Sequence, residues 1–98
     1  MSLRVVTRPQ VEVELQDAAD WYDAQREGLG DQLLVCVEAA IARVARSPES
    51  CAVVHGEVRR ALVRRFPYCV YYKVEDGQLL VLAVGHERRK PEYWARRG

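Results

Sequence analysis

Two apolar stripes at helical spacing, parted by one short glycine-bearing break, constrain this chain more than any other feature. Val11, Leu15, Ala18 and Tyr22 recur at i, i+4, i+7 and i+11, and Leu33, Val37, Ala40, Ile41 and Val44 form a second such stripe. Glu27-Gly28-Leu29-Gly30 separates them, a connection so short that the two helices must be antiparallel neighbours, an αα-hairpin. Thr7 is placed to cap the first helix, with Pro9 tolerated in a first turn that misses no amide donor. The second helix is expected to end before Ser47-Pro48. Each large apolar residue on these stripes contributes roughly 1.5–3 kcal/mol once buried. Two helices alone leave the outer edges of the stripes wet, so a third layer is required.

The rest of the sequence supplies that layer as strands. Leu3 to Thr7 is short and β-branched and reads as an opening strand. Val58 to Arg64 reads as a strand with Arg59, Ala61 and Val63 on one side and Arg60, Leu62 and Arg64 on the other. Arg65-Phe66-Pro67-Tyr68 is expected to turn into a strand over Cys69 to Val74, because Pro67 suits a strand's start better than its middle. Glu75-Asp76-Gly77 is a hairpin signal, since Asp-Gly tolerates positive φ. Gln78 to Gly85 is nearly continuously apolar, the pattern of a central strand covered on both faces. Ser47 to Glu57 reads as a loop. The expected fold is α+β, in the order β-α-α-β-β-β: a helical hairpin on a mostly antiparallel four-stranded sheet, one domain over residues 1–98.

Composition excludes several classes of chain. With 49% apolar and 30% charged residues the sequence is neither disordered nor low-complexity. Its longest apolar run, Leu79 to Val84, is far below the roughly 20 residues of a membrane span. Met1 to Arg8 lacks the apolar stretch of a secretory leader, and Cys36, Cys51 and Cys69 are an odd, widely spaced set. A cytoplasmic protein without disulfides is therefore expected. His55 and His86 have no second ligand at metal-binding spacing, and Gly28 and Gly30 join helices instead of following a strand, so no metal, phosphate-loop or other cofactor site is expected.

The formal charge of +1 conceals an asymmetry. Residues 1–54 carry five arginines against nine acids, whereas residues 55–98 carry ten Lys or Arg against five acids. Two surfaces with different partners are one reading of this split; charges that merely solvate an interleaved fold are the other. The basic part gathers Arg59, Arg60, Arg64 and Arg65 on or beside one strand, then His86-Glu87-Arg88-Arg89-Lys90, then Tyr93-Trp94. Arginine forks suit phosphate, and aromatic rings can stack on bases or pin a chain end onto a core.

Several strings resemble the RelE/ParE toxin superfamily: Ala18-Ala19-Asp20-Trp21-Tyr22, Gly28-Leu29-Gly30, Val58-Arg59-Arg60-Ala61-Leu62, Arg65-Phe66-Pro67-Tyr68, Val70-Tyr71-Tyr72 and Gly85-His86-Glu87-Arg88-Arg89-Lys90-Pro91-Glu92-Tyr93-Trp94. They follow in order over nearly the whole chain. The superfamily's β-α-α-β-β-β fold is the one reached above from pattern. The resemblance implies the toxin of a type II toxin–antitoxin, or plasmid-stabilisation, module. A cognate antitoxin would neutralise it by wrapping a segment around the exposed edges of the hairpin and sheet, while its other end binds operator DNA.

The superfamily has two activities. RelE-like members cleave mRNA on the ribosome, which requires a base for the 2′-hydroxyl, an acid for the leaving oxygen and cations for the phosphate. Here that set would be Glu57 or His86 as base, His86 or Tyr93 as acid, and Arg64, Arg65 or Arg89 as clamp; Tyr93 falls near a functional tyrosine of that branch. An arginine important to that branch falls on Glu87, and a net +1 is modest for a ribosome-bound protein. ParE-like members poison DNA gyrase without cutting nucleic acid. The two-glycine turn, the Phe-Pro-Tyr turn and the His-x-x-Arg-x-Pro-x-x-Trp ending favour this branch. Arg59, Arg60, Arg88, Arg89, Lys90, Arg96 and Arg97 would then form a target-contact surface. An inactive member that only binds an antitoxin is the third alternative.

Overall fold

The computed structural model describes residues 2–88. Strand β1 (Arg4–Thr7) leads into helix α1 (Pro9–Gln25) and helix α2 (Leu29–Arg46), followed by strands β2 (Val53–His55), β3 (Val58–Leu62), β4 (Tyr68–Glu75) and β5 (Gln78–His86). Among the described residues the sheet has five strands, in the order β1-β5-β4-β3-β2. Only β1 and β5 pair in parallel; the other neighbours are antiparallel. The expected helical hairpin on a mostly antiparallel sheet is what forms, with one strand more than expected. That strand, β2, lies inside the segment read as a loop. It is three residues long and fully exposed, and its register on β3 shifts between Val53 and His55, so no buried alternation marks it in the sequence.

The helix ends differ from expectation in two details. Thr7 does not cap α1, because it is committed to the β1–β5 ladder opposite Val81; Arg8 occupies the cap position in extended conformation with no side-chain cap bond. Pro9 does sit at the helix start. The connection between the helices is only Arg26–Gly28, with Gly28 at φ 87°, so Leu29 and Gly30 are already the first turn of α2.

Gly30 is where the two helices meet. A Cβ there would collide with the carbonyl oxygen of Ala19 on α1 and stand 2.8 Å from the carboxylate of Asp23. That carboxylate accepts a hydrogen bond from the Gly30 amide at 2.7 Å, satisfying one of the orphan donors of the α2 N-terminus with a negative charge placed at its positive end. The hairpin is thus locked by an absent side chain on one helix and a capping carboxylate on the other.

Both stripes face one side of the sheet. Val11, Ala18, Leu33, Val37, Ala40 and Val44 pack with Ala61, Val63, Val70, Tyr72, Leu79, Val81 and Val84 in the main core. The opposite sheet face carries a second cluster of Val58, Cys69, Tyr71, Leu80, Leu82 and Ala83. Strand β5 feeds both, as its unbroken apolar run anticipates. It changes phase at Leu82, an extra residue where the partners of Tyr71 and Tyr72 jump from Ala83 to Val81. The Asp76-Gly77 turn takes φ of 52° and 73°, both positive as the hairpin signal requires. Among the described residues no helix is long and apolar enough to cross a membrane.

The segment after α2 is pinned from below. The Tyr72 hydroxyl, in a fully buried side chain, donates to the Pro48 carbonyl at 2.8 Å. Arg59 donates to the Cys51 carbonyl at 2.6 Å. Burial, with the neighbouring Cys51, pushes the Tyr72 phenol far above its ordinary value, against the smaller opposing pull of Arg59 and Arg43.

Two outcomes follow from these contacts. Gly30→Ala is expected to cost about 2 kcal/mol as an overpacked site, lowering Tm by roughly 8–16 °C in thermal melts. A melt unchanged within about 2 °C would show that the hairpin does not need the close approach. Tyr72 stays protonated in the folded chain where the unfolded one ionises, so its contribution is complete below about pH 10 and declines as pH rises further. Tyr72→Phe is expected to lose about 1 kcal/mol at neutral pH. It should also lose less additional stability than wild type between pH 9 and 11 in denaturant titrations; an equal loss would contradict the assignment.

Candidate functional site

Three grooves among the described residues hold side chains singled out from sequence, two of them beside the helices and one at the far end of the sheet. The first, of about 350 Å³, lies between α2 and the β3–β4 connection. Val35, Cys36 and Ala39 form its apolar wall, and Arg43, Arg46, Arg64 and Arg65 supply four guanidinium groups. Arg43 donates to the Leu62 carbonyl at 3.1 Å, and Arg65, held at φ 72°, donates to the Gln32 side chain at 3.2 Å. A positive φ is uncommon for a residue with a long side chain, and the bond to Gln32 helps to hold it.

The second groove, of about 340 Å³, lies between α1 and the end of β5 and is lined by Glu14, Asp17, Ala18, Trp21, Tyr68, Val84, Gly85 and His86. His86 stands edge-on to Tyr68 at 5.7 Å, and its Nδ1 accepts from the Arg88 amide at 3.1 Å. In the neutral ring this leaves the hydrogen on Nε2. Glu14 accepts from the Val84 amide at 3.3 Å. Tyr68 also meets the Tyr22 ring, which packs edge-on against Phe66 at 5.1 Å; burial foremost, then Tyr22, pushes the Tyr68 phenol up. The acidic and aromatic lining makes this groove the electrostatic opposite of the first.

The third, of about 420 Å³, lies at the other end of the sheet and holds Glu57 together with Leu3, Pro48, Glu49, Val53, Gly56, Arg59 and Val74. The strand register fixes how far Glu57 stands from His86. Tyr68 pairs with His86 and Tyr72 with Arg59, so the two side chains differ by about six residue levels, roughly 20 Å. Neither His86 nor Glu57 shares a groove with Arg64 or Arg65. The acid–base pair and phosphate clamp considered from sequence are therefore not brought together among the described residues. Tyr93, Arg89, Lys90, Arg96, Arg97 and Trp94 lie outside the described residues.

The proposed target-contact arginines also separate. Arg59 points to the helix side, where its guanidinium holds the carbonyls of Glu49 and Cys51 at 3.5 and 2.6 Å. Arg60, one residue on, is exposed on the other face, near Cys69, and Arg88 is exposed past the end of β5. Burial foremost, with Glu87, raises the Cys69 thiol, against Arg60 and Tyr71, which lower it; the thiol has no access to solvent. No group of three or more His, Cys, Asp or Glu gathers at metal-binding distance among the described residues. Sequence reasoning missed the arginine groove, although Val35, Ala39, Arg43 and Arg46 recur at i, i+4, i+8 and i+11 along α2. Trp21, which enters the sequence argument only within a family-like string, is 59% exposed at the second groove.

The two neighbouring arginines should respond differently to truncation. Arg59→Met is expected to destabilise the fold by about 1–2 kcal/mol through loss of its carbonyl bonds, whereas Arg60→Met should fall within about 0.5 kcal/mol of wild type. Equal effects in denaturant titrations would contradict the division of roles.

Comparison with known proteins bears directly on this arrangement. A search of the curated proteins finds no match to the sequence. Among solved structures the chain is similar to one described as the chromosomal ParDE TA system from P. aeruginosa, with a TM-score of 0.77 at 10% identity, covering 87% of this chain and 96% of that one. At that identity the likeness establishes the fold. The sequence itself matches, over residues 5–91, the family model described as the ParE toxin of the type II toxin-antitoxin system, parDE. With the match extending from β1 past the end of β5, the chain belongs to the ParE toxin family of type II toxin–antitoxin systems.

Proposed function

We propose that this chain acts in the cytoplasm as a toxin that inhibits DNA gyrase without cutting nucleic acid, and that the product of an adjoining antitoxin gene neutralises it, as in a plasmid-stabilisation or stress module. The family supports the toxin role. One geometric observation supports a non-nucleolytic mechanism: of the catalytic candidates among the described residues, His86, the Arg64–Arg65 pair and Glu57 lie in three different grooves, with Glu57 and His86 at opposite ends of the sheet. In-line attack of a 2′-hydroxyl needs base, acid and cation around one phosphate at hydrogen-bond range. Inhibition by contact has no such requirement. It needs a surface, and exposed Arg60 and Arg88, continued in sequence by Arg89, Lys90, Arg96 and Arg97, offer a basic one.

Inducing the protein in cells and pulse-labelling DNA, RNA and protein synthesis tests this reading. DNA synthesis is expected to fall first, with a DNA-damage response. His86→Ala should remain toxic, while joint reversal of Arg88 and Arg89 to Glu should weaken killing by at least about tenfold, as loss of a charged contact surface does. If protein synthesis falls first and His86→Ala or Arg65→Ala abolishes killing, the chain is the ribosome-dependent ribonuclease. If no synthesis falls, it is an inactive member.

A further inference from the structure

The arginine groove has a composition that solvation does not account for. Among the described residues its lining holds four arginines and no acid. Arg43 and Arg65 spend their hydrogen bonds on a carbonyl and an amide, neutral acceptors that leave the guanidinium charge uncompensated. Arg46 and Arg64 make no ion pair among the described residues. Beside these charges Val35 is 64% exposed on the outer face of α2, next to Cys36 and Ala39 in the wall of the groove. An apolar strip edged with unpaired arginines is half of a complementary pair.

We infer that this groove is the docking site for an acid-rich amphipathic segment of the neutralising antitoxin, which seats apolar side chains on Val35, Cys36 and Ala39 and pairs its carboxylates with Arg43, Arg46, Arg64 and Arg65. The inference rests on the antitoxin-neutralised reading given above. Arginine is suited to this contact because its planar fork binds a carboxylate through two parallel hydrogen bonds and is less strongly hydrated than an ammonium group. A nucleic acid would use the same charges, but no aromatic side chain among the described residues lines this groove to stack on bases, and the apolar wall has no partner on a phosphodiester backbone. The volume of about 350 Å³ admits a few side chains and not a folded element, so the segment lies along α2 instead of penetrating the core. The apolar contact and the charge contact then act together: the first supplies affinity, the second steers the partner and fixes its register.

Cys36 makes the site testable, because it is a half-buried free thiol in the wall of the groove. The experiment uses the Cys51→Ser chain, in which Cys36 is the accessible thiol among the described residues and Cys69 is sealed in the sheet. Purified product of the adjoining antitoxin gene is expected to slow modification of Cys36 by a thiol reagent at least about tenfold by covering it. The double variant Arg46→Glu/Arg64→Glu, both at exposed positions, should weaken antitoxin binding at least about 30-fold. The control Arg60→Glu/Arg88→Glu, which changes net charge equally on other surfaces, should weaken it less than about threefold. Binding that leaves Cys36 reactive, or that tolerates the Arg46/Arg64 reversal, overturns this site while leaving the toxin reading intact. An antitoxin product that neither binds nor rescues growth overturns both. Protection of Cys36 by a single-stranded oligodeoxynucleotide, with steep salt dependence and none by the antitoxin, reassigns the groove to nucleic acid. Protection that grows with the chain's own concentration reassigns it to a second copy.

Discussion

The close approach of α1 and α2 at Gly30 is the contact on which the rest of the molecule depends. A helix pair whose backbones touch can hold only one crossing geometry there, and the Asp23 carboxylate fixes it from the other side by capping α2. That geometry seats α1 over β5 and α2 over β3 and β4. It also determines what is left uncovered. The groove beside α1 inherits the acids and Trp21 of that helix, and the groove beside α2 inherits Arg43 and Arg46, to which the β3–β4 turn adds Arg64 and Arg65. The charge asymmetry along the sequence thereby becomes an asymmetry in space, though not one that follows the two halves of the chain: α2, from the acidic half, contributes half of the basic groove.

Most of the fold is legible because burial imposes periodicity. The helical stripes, the two-sided apolar run of β5 and the Asp76-Gly77 turn each declare themselves through a physical requirement that few residue patterns meet. What escaped has an equally physical cause. Strand β2 is three exposed residues with a slipped register, so nothing in its sequence alternates. Gly30 reads as a turn residue until the structure shows that its missing side chain, and not its backbone freedom, is what the fold uses; of the two glycines between the helical stripes, Gly28 takes the positive φ. Thr7 is a good capping residue that strand pairing claims first.

The candidate sites were less legible, because strand register and pleat decide which residues meet. Arg59 and Arg60 are adjacent in sequence and part company across the sheet, one fastening the segment after α2 and the other facing solvent. Glu57 and His86 both belong to the basic half of the chain, yet the antiparallel order of β3, β4 and β5 sends them to opposite ends. A list of chemically suitable residues becomes an active site only when topology lets them converge. Here three grooves keep Glu57, His86 and the Arg64–Arg65 pair apart among the described residues.

A toxin that works by contact and a toxin that cleaves mRNA give opposite results with purified components. Purified DNA gyrase, relaxed plasmid and ATP are incubated with this chain, and supercoiling is followed beside a parallel translation reaction carrying a defined mRNA. Supercoiling is expected to be inhibited equally by the wild type and by His86→Ala, while the mRNA stays intact. Uninhibited supercoiling together with ribosome-dependent cleavage of the mRNA, lost in His86→Ala, would contradict it.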